Sequence, residues 1–354
     1  MFWMIVSGII VLIGLVFLFS KNKNKQIESG FSISFITTGM ALITGSFGTF
    51  LDMVFGLLTG ESVTNNILQL ITGFILIFIG LWMRQYIKNK LSILNLLGVK
   101  ERRIEEHRSD VGFNQFEFKE REIDLGRYVK KMNQSRYDEA TELIKLKMQS
   151  FYAENKEVKK GYTGTAPIPL TLYAGYCDKG SPTTDFFEYH KLNSKYMKLG
   201  KSKKHIFSKK RAYEELKLKQ QLTAISHIDT ASEVVLGVSI TMEVKTNQVQ
   251  QFNAPFVELS IATPKQNAII YEDQIQDYKT VIFKTLIELS AKPNIKRIHL
   301  LLSCQSSLVF ELGKILTTDT YMKEVINYNY VIGSTPCYNW GISFNSQGTT
   351  FLQC

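Results

Sequence analysis

Apolar runs at residues 2–19, 31–58 and 67–87 fill the start of the chain. Only Lys21, Lys23, Lys25, Glu28, Asp52, Glu61 and Arg84 carry charge in the first 87 positions. A helix of about 20 mostly apolar residues crosses the hydrocarbon core of a bilayer. The pattern predicts an N-terminal α-helical transmembrane bundle over residues 1–90, with helices at about 2–20, 31–58 and 66–87. Beyond it the periodicity shortens and charges become frequent, as in a folded domain facing water.

Residues 91–134, with dense mixed charge at 100–110, read as a charged connector. Ser135 followed by Asp138 resembles a capping box and starts a helix that runs to about Ser150. Glycine and proline punctuate residues 161–176, which read as loop, strand, loop. Val234, Leu236, Val238, Ile240, Met242 and Val244 share one parity and predict a strand, repeated at Val257, Leu259 and Ile261. Ile275, Tyr278, Ile282, Leu286 and Leu289 define one face of a helix over 272–291, and Pro293 closes it. A buried strand follows at 295–302, then the turn 303–307, a helix at 308–316, and strands at 325–330 and 340–344. This alternation is Rossmann-like α/β order. It places an α/β domain at 135–354, divided at about 230/231.

Lysine and arginine set orientation in a membrane. Lys21, Lys23 and Lys25 follow the first run and Arg84, Lys88 and Lys90 the third, while the loop 59–66 has no basic residue. The N-terminus is expected outside and the C-terminal domain in the cytoplasm. The first run lacks the charged start and the small-residue cleavage site of a signal peptide, so it reads as an uncleaved anchor. The second run bears a stripe of small and polar residues: Ser34, Thr38, Ala41, Gly45, Gly48, Asp52 and Gly56. Small residues let membrane helices approach closely, and Asp52 needs protein or water beside it. The stripe suits either bundle packing or an assembly or pore face at Gly45, Gly48, Asp52 and Gly56.

The formal charge is +10. The first 87 residues hold four basic and three acidic groups, so nine of the ten excess charges lie beyond them. A basic domain beside a membrane suits an anionic partner: lipid headgroups, nucleic acid or a small polyanion. Residues 195–211 hold eight basic residues, Lys203 and Lys204 among them, which read as a solvated face or an anion contact. The four cysteines and five histidines show no metal-ligand spacing, and His299 reads as a core histidine. There is no phosphate loop, nucleophile elbow or dinucleotide fingerprint, so no catalytic set or metal site is recognised. Cys304 reads as a small buried thiol.

The turn Ser303, Cys304, Gln305, Ser306, Ser307 joins a strand's carboxyl end to a helix. Ligands of open α/β sheets bind at such ends, and a helix N-terminus favours phosphate. The plainer alternative is N-capping by Ser306. Tyr176, Tyr338 and Trp340 offer aromatic faces on which bases could stack.

The segment KRIHLLLSCQSSLVFELGKILTTDTYMKEVINYNY, with YNWGISF after it, resembles the C-terminal half of a SAVED domain, and GYTGTAPIPLTLYAGY resembles its N-terminal half. The resemblance covers about 135–354 and rests on strand, turn and helix spacing. It implies two fused CARF/Rossmann-like subdomains that bind a cyclic oligonucleotide, cyclic oligoadenylate foremost, made by a partner cyclase. Ser303, Gln305, Ser306, Ser307, Tyr176, Tyr338, Trp340, Lys203 and Lys204 are the expected ligand contacts. With membrane helices in front, the layout looks like a transmembrane effector of the CBASS antiphage systems. Such an effector would sit in a bacterial inner membrane, form a homo-oligomer on ligand binding, and permeabilise the bilayer in abortive infection. No DNA partner and no cofactor are expected. The alternatives are a membrane-tethered enzyme that degrades the cyclic nucleotide, or a basic anchor for anionic lipid or nucleic acid.

Overall fold

A run of seven buried residues, Leu91–Leu97, forms the first strand of the α/β unit. The computed structural model describes residues 9–16, 27–59, 67–99, 102–113, 118–129, 132–154, 158–178, 182–183, 185–190, 193–202, 213–316 and 322–354. The chain divides into two units: residues 1–91 with 152–159, and residues 92–151 with 160–354.

In the first unit, α1 (Ile27–Thr59) and α2 (Ile67–Asn89) pack side by side. The Ser32 hydroxyl donates to the Gly80 carbonyl at 2.7 Å, and the Gln69 amide to Leu42 at 3.3 Å, so the helices run antiparallel. A Cβ on Gly39 would lie 2.6 Å from the Gly73 carbonyl. Backbone meets backbone there because neither residue has a side chain. Gly39, Gly73 and Gly80 make this contact, while Gly45 is half-buried. The surroundings of Gly48, Asp52 and Gly56 lie outside the described residues. The stretch Gln69–Ile87 of α2 is, by length and composition, the one helix among the described residues able to cross a membrane. Its Phe74, Ile75, Phe78, Leu81 and Trp82 are exposed.

The second unit contains two sheets. The first has the order β2-β1-β3-β4-β5, with β1 Leu91–Leu97, β2 Phe118–Asp124, β3 Lys159–Gly164, β4 Asp185–His190 and β5 Lys195–Lys198. The second has the order β6-β8-β7-β9-β10-β11-β12, with β6 Lys217–Leu218, β7 Glu233–Ser239, β8 Phe256–Ser260, β9 Arg297–Ser303, β10 Glu324–Tyr330, β11 Tyr338–Asn345 and β12 Gly348–Gln353. The sequence β8-β7-β9-β10-β11 repeats β2-β1-β3-β4-β5 strand for strand. In both halves the fourth strand is parallel to the third and antiparallel to the fifth. The helices repeat as well. In the first half α3 (Gln134–Glu154) precedes β3 and α4 (Ile168–Cys177) follows it. In the second, α5 (Glu272–Ser290) precedes β9 and α6 (Ser306–Ile315) follows it. The expected pair of Rossmann-like halves is therefore present.

Two local expectations are corrected. Residues 91–134 are not simply a connector, because they supply β1 and β2 of the first sheet. A strand covered on both faces reads as a short, nearly continuous apolar run rather than an alternation, and LSILNLL, broken only by Ser92 and Asn95, is such a run, followed closely by the charges of the short helix Ile104–Val111. Residues 168–177 form a helix, not a strand. Pro167 is its N-cap and Pro169 falls in its first turn, where no intrahelical N–H is needed, and Pro169 through Gly175 are all buried, so the segment shows no amphipathic period.

Candidate functional site

The strand order 2-1-3-4-5 reverses direction between the first and third strands of each half, and the crevice at their carboxyl ends is where such sheets bind ligands. Here those ends are β1 and β3 in one half, β7 and β9 in the other.

The two crevices are built alike. Thr165 lies three residues before α4 and accepts the Gly98 N–H through its hydroxyl at 3.1 Å. Ser303 lies three residues before α6 and accepts the Met242 N–H through its hydroxyl at 3.0 Å. Each hydroxyl ties the loop after the half's first strand to the turn after its third. The Ile240 and Thr241 N–H groups also donate to the Ser303 carbonyl, at 2.9 and 2.8 Å.

A twofold relation between the halves is fixed where α4 meets α6. A Cβ on Gly175 would lie 3.0 Å from the Gly313 Cα and closer still to the Phe310 carbonyl. A Cβ on Gly313 would lie 2.8 Å from the Gly175 Cα and closer still to the Leu172 carbonyl. Leu172 and Phe310 are the fifth residues of their helices, Gly175 and Gly313 the eighth. The helices thus exchange equivalent contacts. Across the seam, Tyr162 of β3 stacks on Phe310 of α6 at 4.1 Å, and Tyr176 of α4 meets Phe344 of β11 edge-on at 5.5 Å.

A cavity of about 460 Å³ lies beyond the ends of β7 and β8, and its lining includes Tyr213, Glu214, Ile261, Lys265, Asn267 and Gln274. It adjoins the second crevice, since the Lys265 N–H donates to the Ile240 carbonyl at 3.0 Å. Met242 and Val99, on the two loops, are exposed.

The N-terminus of α6 is already occupied. The Ser307 N–H donates to the Glu188 Oε1 at 2.8 Å, and both residues are buried. Burial pushes the Glu188 carboxyl up to about 7, against the pull of the Ser307 hydroxyl and amide. The corresponding end of α4 carries Pro167 and Pro169, which have no N–H to offer.

The residues singled out in the sequence fall into three places. Ser303 stands in the crevice wall. Ser306 and Ser307 face the first half: the Ser306 hydroxyl pairs with the Tyr162 hydroxyl at 2.7 Å, so it does not cap the helix. The Gln305 amide is spent on the Ile269 main chain, accepting at 2.6 Å and donating at 2.9 Å. Tyr338 and Trp340 are core residues, 5% and 4% exposed. Tyr338 packs among Phe252, Tyr328 and Tyr330, and Trp340 on Phe351, so neither ring has an open face. Tyr176 lies at the α4 seam, and Lys203 and Lys204 lie outside the described residues. His299 is buried between Tyr328 (2.7 Å) and Glu233 (2.9 Å), at the opposite end of the sheet. Burial also holds the Cys304 thiol above its ordinary range.

Sequence reasoning missed Thr165, Gly98, Met242 and Glu188. The shared spacing of Thr165 and Ser303 to an apolar residue and a glycine, Leu172 and Gly175 against Phe310 and Gly313, is the signal that could have found Thr165; Gly98 and Met242 are reached only through their hydrogen bonds to these two hydroxyls. Glu188 has no local signal.

The family model described as the SMODS-associated and fused to various effectors sensor domain, SAVED, matches residues 144–344. Solved structures similar to this chain include the Acinetobacter baumannii Cap4 SAVED/CARF-domain receptor with the cyclic trinucleotide 2′3′3′-cAAA. It is 10% identical with a TM-score of 0.48, and the match covers 91% of this chain and 64% of that one. The same receptor with 3′3′3′-cAAA gives 10% identity and a TM-score of 0.46 over 94% and 65%. The Moraxella osloensis Cap4 receptor gives 10% and 0.44 over 87% and 64%. The chain thus spans about two thirds of the length of these receptors. No curated protein matches it.

Proposed function

Because the chain belongs to the SAVED family of sensor domains, we propose that its α/β unit senses a cyclic oligonucleotide across the paired crevices and that the N-terminal helices carry the signal to a membrane. The observation that supports this most is the internal twofold. Two equivalent hydroxyl-tied turns, at Thr165 and Ser303, flank the α4–α6 seam. A ring of repeated nucleotides presents the same phosphate and base edges several times over, and repeated half-sites suit it better than they suit a linear substrate. The cavity beside the second crevice, with Tyr213, Lys265 and Asn267 in its wall, has the stacking and polar groups that a base requires. Adenine rings are the first choice, with a partner cyclase as their source.

The output is a membrane effect. The apolar exposed face of α2 suits lipid. Trp82 stacks on Tyr86 at 6.0 Å and Lys90 lies 5.1 Å over the Tyr86 ring, an aromatic and basic belt of the kind that marks a headgroup interface. The belt lies toward the α/β unit in sequence, in keeping with a cytoplasmic sensor, an N-terminus outside and three spans. Ligand binding shifts an equilibrium only through differential affinity for its two states. The proposed states are separate and assembled copies, and assembly perturbs the bilayer as the last step of an antiphage response. The test is ligand-dependent dye leakage from liposomes holding the full chain. Leakage on adding a cyclic triadenylate supports the effector. Consumption of the ligand with tight liposomes would transfer the case to a tethered enzyme.

A further inference from the structure

Glu188 is a buried carboxylate, 8% exposed, with no lysine or arginine paired to it among the described residues. Buried charges are nearly always paired. Its one close partner is the N-terminal end of α6, through the Ser307 N–H at 2.8 Å. That end is where free N–H groups and the helix dipole favour an anion. Glu188 belongs to the fourth strand of the first half and α6 to the second half, so the bond crosses the seam. The equivalent end of α4 has prolines at Pro167 and Pro169. Of the two helix ends at the crevices, one has fewer donors, with Ile168 and Leu170 keeping the N–H groups that the prolines lack, and the other is filled from within.

Building on the sensor reading, we infer that Glu188 is a positioning residue. Its carboxylate takes the place of a ligand phosphate at the N-terminus of α6 and ties the first half to the second beneath the crevice. Ligand phosphates are thereby turned away from α6 and toward the loops held by Thr165 and Ser303.

The groups facing Glu188 do not supply a countercharge. Tyr162 of β3, Tyr196 of β5 and Cys304 of the β9–α6 turn are all held in their neutral forms by burial. A carboxyl raised to about 7 when folded contributes most to stability below its unfolded pKa, and that contribution is lost as pH rises through about 7. Ionising the group therefore costs stability, which suits a positioning role better than a packing role.

The test uses the full chain in detergent, with Glu188→Gln, which keeps the acceptor and removes the charge, and Glu188→Ala, which removes both. Thermal unfolding from pH 5 to 8 should show Glu188→Gln equal to the parent at pH 5 and melting higher at pH 8. Glu188→Ala should bind 3′3′3′ cyclic triadenylate at least tenfold more weakly, and formate or acetate, small enough to enter the vacated space, should restore most of the loss. Equal pH profiles for parent and Glu188→Gln, or a loss in Glu188→Ala that no carboxylate restores, would overturn the inference. If the parent binds no cyclic nucleotide, the sensor reading falls, and the pH profile and formate-dependent rise in melting temperature still decide whether Glu188 fills the helix end.

Discussion

Replacing Gly313 with alanine should separate the two halves of the sensor. The added Cβ would lie 2.8 Å from the Gly175 Cα and against the Leu172 carbonyl. Carbon contacts relax only at about 3.5–4.0 Å, so α4 and α6 must part by roughly 1 Å. All the opposing atoms are backbone, and no rotamer change relieves them. Overpacking of a rigid site costs about 1–3 kcal/mol, here at the upper end. The alanine returns about 1 kcal/mol through helix propensity. The net expectation is a loss of about 2 kcal/mol, a fall in melting temperature of about 4–8 °C for a unit of this size. Gly175→Ala should behave the same way. The double variant should fall short of the sum, because one separation relieves both clashes. Thermal unfolding by near-ultraviolet circular dichroism, alongside titration with cyclic triadenylate, reads both stability and the crevice. Gly313→Ala as stable as the parent, or more stable by the helix-propensity gain, would refute the backbone-to-backbone seam and the twofold built on it.

Thr165→Val with Ser303→Ala removes the hydroxyls that hold the Gly98 and Met242 N–H groups; affinity should fall about tenfold, near 1.4 kcal/mol, with the fold retained by circular dichroism. Lys314→Met strips the partner of Asp178 (3.0 Å) and Glu311 (2.6 Å), and breaking a buried pair costs about 3–5 kcal/mol, readable by urea unfolding. Burial raises the Glu311 carboxyl, but Lys314 and Lys279 more than reverse this, so its stabilisation is present above the ordinary carboxylate range and is lost as pH falls through the folded value; Lys314→Met should flatten that acid limb. Gly39→Leu forces α1 from α2 and should abolish ligand-dependent leakage from liposomes while leaving affinity unchanged.

The second half was largely legible in the sequence because its strands and helices carry strong signals: α5 shows a helical face, and β9 an apolar run, broken by His299 and bounded by a turn. The first half was harder to read. β1 is buried throughout, its apolar residues broken by Ser92 and Asn95, with charged residues close behind it, and α4 is buried on nearly every side, so neither carries the period that identifies its type. The candidate site was legible as a place, the carboxyl end of β9, because topology dictates it. Its contacts were not, because they depend on partners distant in sequence. Glu188 and Ser307 are 119 residues apart, and nothing near Ser307 announces that an internal carboxylate has taken the helix end. Tyr338 and Trp340 were chosen for chemistry that their burial withholds. A strand with both faces covered has no exposed parity to reveal this.

The central claim is that the paired crevices recognise a closed ring of nucleotides. Calorimetric titration of the full chain in detergent with 3′3′3′ and 2′3′3′ cyclic triadenylate, against linear triadenylate, tests it most directly. The account expects saturable binding of one ring per chain, a linear competitor at least a hundredfold weaker, and the tenfold loss of affinity in Thr165→Val with Ser303→Ala. Equal affinity for ring and linear forms, weakening steeply with salt and indifferent to Thr165 and Ser303, would contradict it and leave only a basic surface that attracts polyanions.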